Sequence, residues 1–404
     1  MTRLAQRVSD IPSSATVRIA DVAASLRRQG VPVVDLSAGR AAEHTPPYIV
    51  EAAVEALRGG QTHQTMSIGT PEYRQACAVK LGRENDIDAD PDREIIATMG
   101  VKQGLTLALM ATVGPGDEVI VEDPCFVSYQ PLIRMCGGVP VSVPLRAENG
   151  FRWRREDLES RITPRTRAIL FNSPHNPTGT VHVVADLDLI ADVARRHDLV
   201  ILSDEVYERV TWNGRRHVSI ASRPDARNRT VTVMGLTKTF SMGGWRIGFV
   251  HAEPDLIGTM ASLQQHLITC ASSIAQAGAT AAFGEPPRPE VLALWREWEQ
   301  RCLFVAAELR SVPGVTCHDP EGGYYAWPNV RGTGWDDTEL AEALLQQHHV
   351  AVVPGSAFGA SGHGYLRLTC VRSWPDLKEA MARITSVLRE APADGRSSSS
   401  GGSR

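Results

Sequence analysis

Between residues 94 and 251 short apolar runs alternate with longer amphipathic ones. The apolar runs are Glu94–Met99, Glu118–Glu122, Val139–Leu145, Arg167–Asn172, Leu199–Ser203, Thr230–Met234 and Trp245–Val250. Val101–Val113 and Val184–His197, lying between them, repeat their apolar positions at helical spacing. Strands of this kind alternating with helices predict an α/β fold built on a mostly parallel sheet. Ligands of such sheets gather beyond the carboxyl ends of the strands, so the loops there are the first place to seek chemistry.

Outside that stretch the pattern changes. Residues 1–30 are polar and predict an extended arm with one short helix, Ile19–Leu26. Val31–Ser37 predicts a short strand ending near Gly39, and Thr45 an N-cap with Pro46 and Pro47 in the first helical turn. Another helix opens at Gly69-Thr-Pro-Glu. From Pro254 to about Leu309 the spacing is helical; strand-like pieces return at Tyr324–Trp327, Val350–Pro354 and Tyr365–Val371, with helices over Thr338–Gln347 and Pro375–Glu390. The expected division is an N-terminal arm with part of a small domain (1–45), a large domain (46–289), a small α+β domain (290–392) and a disordered Ser/Gly tail (393–404).

Composition narrows the partners. With 404 residues, 43% hydrophobic and 22% charged, the chain has material for a sizeable core. A net charge of −4 asks for neither nucleic acid nor anionic lipid. No apolar run approaches ~20 residues, and the N-terminus lacks an apolar signal core, which predicts no membrane span and a cytoplasmic protein. The seven cysteines are scattered without a C-x2-C pair, predicting buried thiols in a reducing compartment and no metal site.

The chemistry centres on Met234-Gly-Leu-Thr-Lys-Thr-Phe-Ser-Met-Gly-Gly-Trp-Arg-Ile-Gly-Phe249. Lys238 follows a β-like run, and Arg246 stands at the start of the next. Burial lowers a lysine's pKa and frees its amine as a nucleophile, while an arginine offers phosphate a planar fork of donors. The plainer alternative is a solvated loop lysine and a strand-edge charge. The whole block resembles the S-x-S-K-x-F-x-x-x-G-W-R-x-G segment of the class I/II (fold type I) pyridoxal phosphate (PLP)-dependent aminotransferases. The resemblance implies an aspartate-aminotransferase-type fold, PLP as cofactor in Schiff-base linkage to Lys238, contacts to it from Thr237 and Arg246, and a homodimer with shared sites.

Other segments match that family in order. Gly100-Val101-Lys102 lies between a strand and a helix, where backbone N–H groups favour an anion; the resemblance assigns it to the cofactor phosphate. Phe126 matches the ring that stacks on the pyridine, although a core phenylalanine fits the residues equally well. Asn172-Ser-Pro-His-Asn-Pro-Thr-Gly179 places Asn176 at the pyridine hydroxyl. Asp204 ends an apolar strand, where a carboxylate needs a cation, and matches the partner of the pyridine nitrogen, with Tyr207 beside it at the ring hydroxyl; a helix N-cap with Tyr207 packed beside it is the alternative. Arg367 lies inside an apolar strand and matches the residue holding the substrate carboxylate; a structural salt bridge is the alternative. Gly39, with Arg40 next to it, matches the loop that closes over the substrate; a plain turn glycine is the alternative.

Three positions depart from the family. Gln64 stands where a tyrosine usually reaches the neighbouring subunit's phosphate, Gly235 where a serine binds phosphate, and Arg40 where an acid is common. Gln264-Gln-His-Leu-Ile268 also carries no arginine, as dicarboxylate-specific members do there. The expectation is amino-group transfer between an amino acid and a 2-keto acid, with a donor other than aspartate. Elimination, replacement or cyclisation on the same fold is the alternative. A dinucleotide dehydrogenase is disfavoured because no G-x-G-x-x-G follows a strand.

Overall fold

The computed structural model describes residue 11 and residues 13–283 and 286–390. The first ten residues of the expected arm and the tail expected at 393–404 lie outside them. The strands are β1 (Val34–Asp35), β2 (Ile95–Thr98), β3 (Glu118–Asp123), β4 (Val139–Pro144), β5 (Thr166–Asn172), β6 (Val200–Asp204), β7 (Thr230–Gly235), β8 (Gly248–His251), β9 (Tyr325–Ala326), β10 (Val350–Ala351), β11 (Val353–Pro354) and β12 (Leu366–Thr369).

Seven strands form one sheet in the order β2-β8-β7-β6-β5-β3-β4. Only β8 runs against its neighbours; the others are parallel. Every residue of β2, β3, β7 and β8 is buried, which is why these segments read as unbroken apolar runs rather than alternating ones. β4 is an edge strand, and it can carry Pro140 and Pro144 because an edge leaves N–H positions unpaired. Strand order reverses between β3 and β5, so the carboxyl ends of these strands frame a natural crevice.

The remaining strands form two small sheets, β1-β10 and β11-β12-β9. The helices Pro289–Arg310 and Trp374–Arg389 bury Trp298, Val305, Leu377 and Ile384 in a core that continues onto Ala97, Met234 and Phe249 of the large sheet. A small cluster of Ala23, Val33, Leu345 and Ala351 pins the helix Ala15–Arg28 beside β10. No helix among the described residues is long and apolar enough to cross a membrane.

Several expected boundaries move. The N-terminal helix is longer than Ile19–Leu26, running over Ala15–Arg28. Thr45 is not a cap: its hydroxyl donates to the Ser241 carbonyl (3.1 Å) and accepts from the Trp245 indole (3.0 Å), while Pro46 occupies the N-cap position. The strand expected from Trp245 begins only at Gly248, because Arg246 is left-handed (φ 53°) and its guanidinium turns back to the Gly243 carbonyl. Past Pro254 the helical stretch breaks into Pro254–Leu267, Ser273–Phe283 and Pro289–Arg310, with Thr269 at φ 68° in the first break. Val350–Pro354 divides because its halves pair with different partners, β1 and β12.

Candidate active site

A cavity of about 380 Å³ opens beyond the carboxyl ends of β3, β5, β6 and β7. Its lining brings together Gly39, Arg40, Val101, Lys102, Phe126, Asn176, Asp204, Tyr207, Thr237, Lys238, Arg246 and Arg367. Gly100 is the one expected residue that does not line it. Its role is geometric: φ is +75°, and a β-carbon there would come within 2.7 Å of Arg246 Nη2. The glycine lets the backbone turn from β2 into the helix Val101–Thr112 directly beneath the guanidinium.

That end of the cavity is built for an anion. The helix starts without a side-chain cap, so its first N–H groups face outward. Arg246 donates to the carbonyls of Gly243 (3.1 Å) and Met99 (3.4 Å), and neither it nor Lys102 forms an ion pair among the described residues. Burial, then Arg246 and Lys238, hold the Lys102 ammonium below the ordinary lysine range. A β-carbon on Gly235 would meet Val101 Cγ2 at 2.8 Å, so Val101 fills the space that a serine at 235 would need. Gln64 is exposed in a loop that does not line this cavity.

The middle of the cavity presents one acid and one amine. Asp204, 4% exposed at the end of β6, accepts from the Tyr129 hydroxyl (2.7 Å) through Oδ2 and from the Val206 amide (3.2 Å) through Oδ1. Burial lifts its pKa to about 6 against the lowering effect of these donors and of Lys238. Lys238 Nζ donates to the Gly39 carbonyl at 2.7 Å. Burial is the main cause holding its pKa below the ordinary range; Arg367 and Arg246 add to it, while Tyr325 and Asp204 oppose it. Phe126 is half-buried on one wall, with its ring edge-on to Tyr129 (5.5 Å, 82°), rather than a core residue. The Tyr207 hydroxyl lies 3.0 Å from that of Tyr325.

At the far end stands Arg367, 2% exposed in β12. Nη1 donates to Asn176 Oδ1 (3.2 Å) and Nη2 to the Ser37 carbonyl (2.6 Å), while Nε is buried without a partner among the described residues. The guanidinium lies over the rings of Tyr325 (4.3 Å) and Phe358 (4.8 Å). No carboxylate among the described residues pairs with it, so Arg367 is a buried cation held by two hydrogen bonds and two aromatic rings rather than by a salt bridge.

These ends fit pyridoxal phosphate. The glycine cradle under Arg246 suits the phosphate, the Asp204 carboxylate suits a protonated ring nitrogen, and the Lys238 amine stands between them. Sequence reasoning did not assign Tyr129, Asn172, Tyr325 or Ser37. Tyr129 follows Phe126 by three residues and so shares its side of the loop, the one available signal. Thr16, Val17 and Ala20 of the N-terminal helix also line the cavity, and nothing in their local pattern marks them. Gln264, quoted for its lack of an arginine, is fully buried and bonded to the carbonyls of Ser67 and Ala97.

Comparison with known proteins points the same way. The family model for aminotransferase class I and II matches residues 31–384. An aspartate aminotransferase of Pyrococcus abyssi is 40% identical, covering 96% of this chain and 98% of its own. An aromatic-amino-acid aminotransferase of Thermococcus litoralis is also 40% identical, covering 89% and 92%. The crystal structure of the aspartate aminotransferase of Rhizobium meliloti superposes with a TM-score of 0.91 at 37% identity, covering 96% of this chain and 99% of that one.

Proposed function

The chain belongs to the class I and II aminotransferases, PLP-dependent enzymes that move an amino group between an amino acid and a 2-keto acid, and on that premise we propose how its residues divide the work. PLP, when bound, supplies an aldehyde for the substrate amine and an electron sink for the bond broken at Cα. Gly100, Val101, Lys102, Thr237 and Arg246 hold its phosphate. Phe126 covers a ring face, Asp204 keeps the ring nitrogen protonated, and Asn176 and Tyr207 face the ring hydroxyl. Lys238 Nζ would carry the cofactor's covalent attachment and, as a free amine, would move a proton at the substrate Cα. Arg367 and Asn176 hold the substrate α-carboxylate, and Gly39 and Arg40 form the loop over it. The observation that carries this division is that Lys238 and Asp204 stand between two separate ends for anions, Arg246 at one and the unpaired Arg367 at the other.

The donor is proposed to be an amino acid other than aspartate, since the lining includes the uncharged Thr16, Val17 and Ala20 and the segment Gln264–Ile268 carries no arginine. The competing reading, an acidic side chain, is favoured by Arg40, an exposed cation in the same lining, and by the relatives named for aspartate. Adding one amino acid at a time to loaded enzyme and following the cofactor absorbance decides between them. The nitrogen must stay on the enzyme until a 2-keto acid restores the starting spectrum. Turnover without any keto-acid requirement refutes amino-group transfer by this chain. Borohydride must label Lys238, and Lys238→Ala must lose the label.

A homodimer in the cytoplasm is part of the same proposal. A second cavity of about 810 Å³ adjoins the first, sharing Gly39, Arg40, Thr237 and Lys238. Met66, Met99, Met110 and Leu267 are exposed apolar side chains. The cysteines are all free thiols. The proposed large domain, 46–289, contains the whole seven-stranded sheet, which draws only on residues 95–251, while the proposed boundary at 289/290 falls at the first residue of the helix Pro289–Arg310.

A further inference from the structure

Beneath the loop that carries Asn176 lies a buried polar network that the division of work above leaves unused. Glu122, at the end of β3, is fully buried. Its Oε1 lies 2.8 Å from His182 Nε2, and its Oε2 accepts from the backbone amide of Asn172 at 3.0 Å. Asn172 is a node: its side-chain oxygen accepts from the Asn176 amide (2.8 Å), and its side-chain nitrogen donates to the Asp204 carbonyl (2.7 Å). Asn176 in turn accepts from Arg367. On the other side, His182 Nδ1 stands 3.7 Å from Asp186, and Asp186 accepts from Arg152 (2.7 Å), which also reaches Glu321.

We infer that Glu122 and His182 form a positioning pair for the carboxylate-binding end of the site, clamping Asn172 and through it the Asn176–Arg367 pair. A buried carboxylate is costly unless opposed by a cation and filled with donors. Glu122 has both, and one of its donors is the backbone of the site loop itself. Burial works against a charged His182, yet Asp186 and Glu122 outweigh it and lift its pKa to about 9. His175, 3.4 Å from the same Glu122, is left neutral by its burial, with a pKa of about 4. The charge facing Glu122 therefore sits on His182, fixed on the outer side by Asp186 and Arg152. Neither residue lines the cavity, so each acts through Asn172 rather than on the substrate.

This inference rests on the reading of Arg367 as the carboxylate ligand, and the test separates the two. Two quantities are read: the KM for the amino-acid donor in loaded enzyme, and the Kd of hydrocinnamate, an unreactive carboxylate, for cofactor-free protein. Glu122→Ala is expected to raise both by about tenfold, the scale of one misplaced charged hydrogen bond, while kcat stays within about twofold. Glu122→Gln keeps an acceptor for the Asn172 amide and should recover most of the loss. If Glu122→Ala does not fold, His182→Leu is read for the same split. Unchanged KM and Kd with only a lower melting temperature overturn the positioning role. If Arg367→Lys also leaves both unchanged, the carboxylate reading itself has failed; if it raises them while the Glu122 and His182 variants do not, only this inference falls.

Discussion

Replacing Asp204 by asparagine should stabilise the cofactor-free protein above pH 6 while removing the group that the reaction needs. The carboxyl group is 4% exposed, and burial lifts its pKa from 3.8 to about 6 despite hydrogen bonds from Tyr129 and Val206. A raised acid binds its proton more tightly when folded, so the folded state is not penalised below the unfolded pKa of about 3.9. As pH rises from there through about 6, the folded protein must ionise a buried group and loses stability. A shift of some two units corresponds to about 3 kcal/mol. Asparagine cannot ionise, so this loss disappears, and its amide can still meet the Tyr129 hydroxyl.

Denaturant titrations of both cofactor-free proteins, at intervals from about pH 4.5 to about pH 7.5, should show a stability difference that grows in favour of the variant. The difference should level off above about pH 6, where the wild-type carboxyl is already charged. With PLP bound, the ring nitrogen supplies the missing cation, and the variant's advantage should vanish or reverse. A difference that is the same at every pH would refute the reasoning, since it would mean that Asp204 carries no burial penalty. An advantage that persists in loaded protein would mean that Asp204 does not meet the cofactor.

Arg367→Lys keeps the charge but loses the fork between Asn176 and Ser37 and the stacking on Tyr325. Donor affinity should fall by ~1.5–3 kcal/mol, measured as Kd in the first half-reaction; an unchanged Kd would make Arg367 structural. Gly39→Ala puts a β-carbon 2.0 Å from the Tyr325 hydroxyl oxygen, so kcat/KM should drop, with the double variant Gly39→Ala, Tyr325→Phe recovering part of it. Failure of that rescue would place the strain elsewhere in the loop. Sedimentation at assay concentration should show a dimer, and an active monomer would remove the shared-site proposal.

The parts of the fold that were legible in sequence are those where burial leaves little choice. β3, β5, β6 and β7 read as apolar runs because both faces of the sheet are covered, and a helix on either side forces that composition. Asp204 and Arg367 were legible for the converse reason: a charge inside an apolar strand must have a partner, and the sequence around each offers none. The misplaced strand start at Arg246 shows where this fails. Trp245-Arg-Ile-Gly-Phe has strand-like composition, but its first residues are held by contacts with Thr45 and Met99, about 200 and 147 positions away. Tyr129 and Ser37 were hidden for the same reason, reaching Asp204 and Arg367 across 75 and 330 positions.

The charge in the cavity links these residues into one device. Arg40, Lys102, Lys238, Arg246 and Arg367 face it, against the single acid Asp204. Such an excess of like charge is unfavourable, and part of it is already relieved by the lowered proton affinity of Lys238, to which Arg367 and Arg246 contribute after burial. Cofactor phosphate at Arg246 and substrate carboxylate at Arg367 would each neutralise a different member of this set. Lys238, between them, would then feel the filling of either end as a change in its own proton affinity. A substrate carboxylate held at Arg367 would thus act on the amine from a distance, by offsetting one of the cations that hold its pKa down. Of these cations only Lys238 eases the charge on Asp204, too little to offset burial, so the carboxyl stays at about 6 until a further cation meets Asp204. Asp204 is the one negative group among five positive ones, and the hydroxyl of Tyr129 fixes which way it faces.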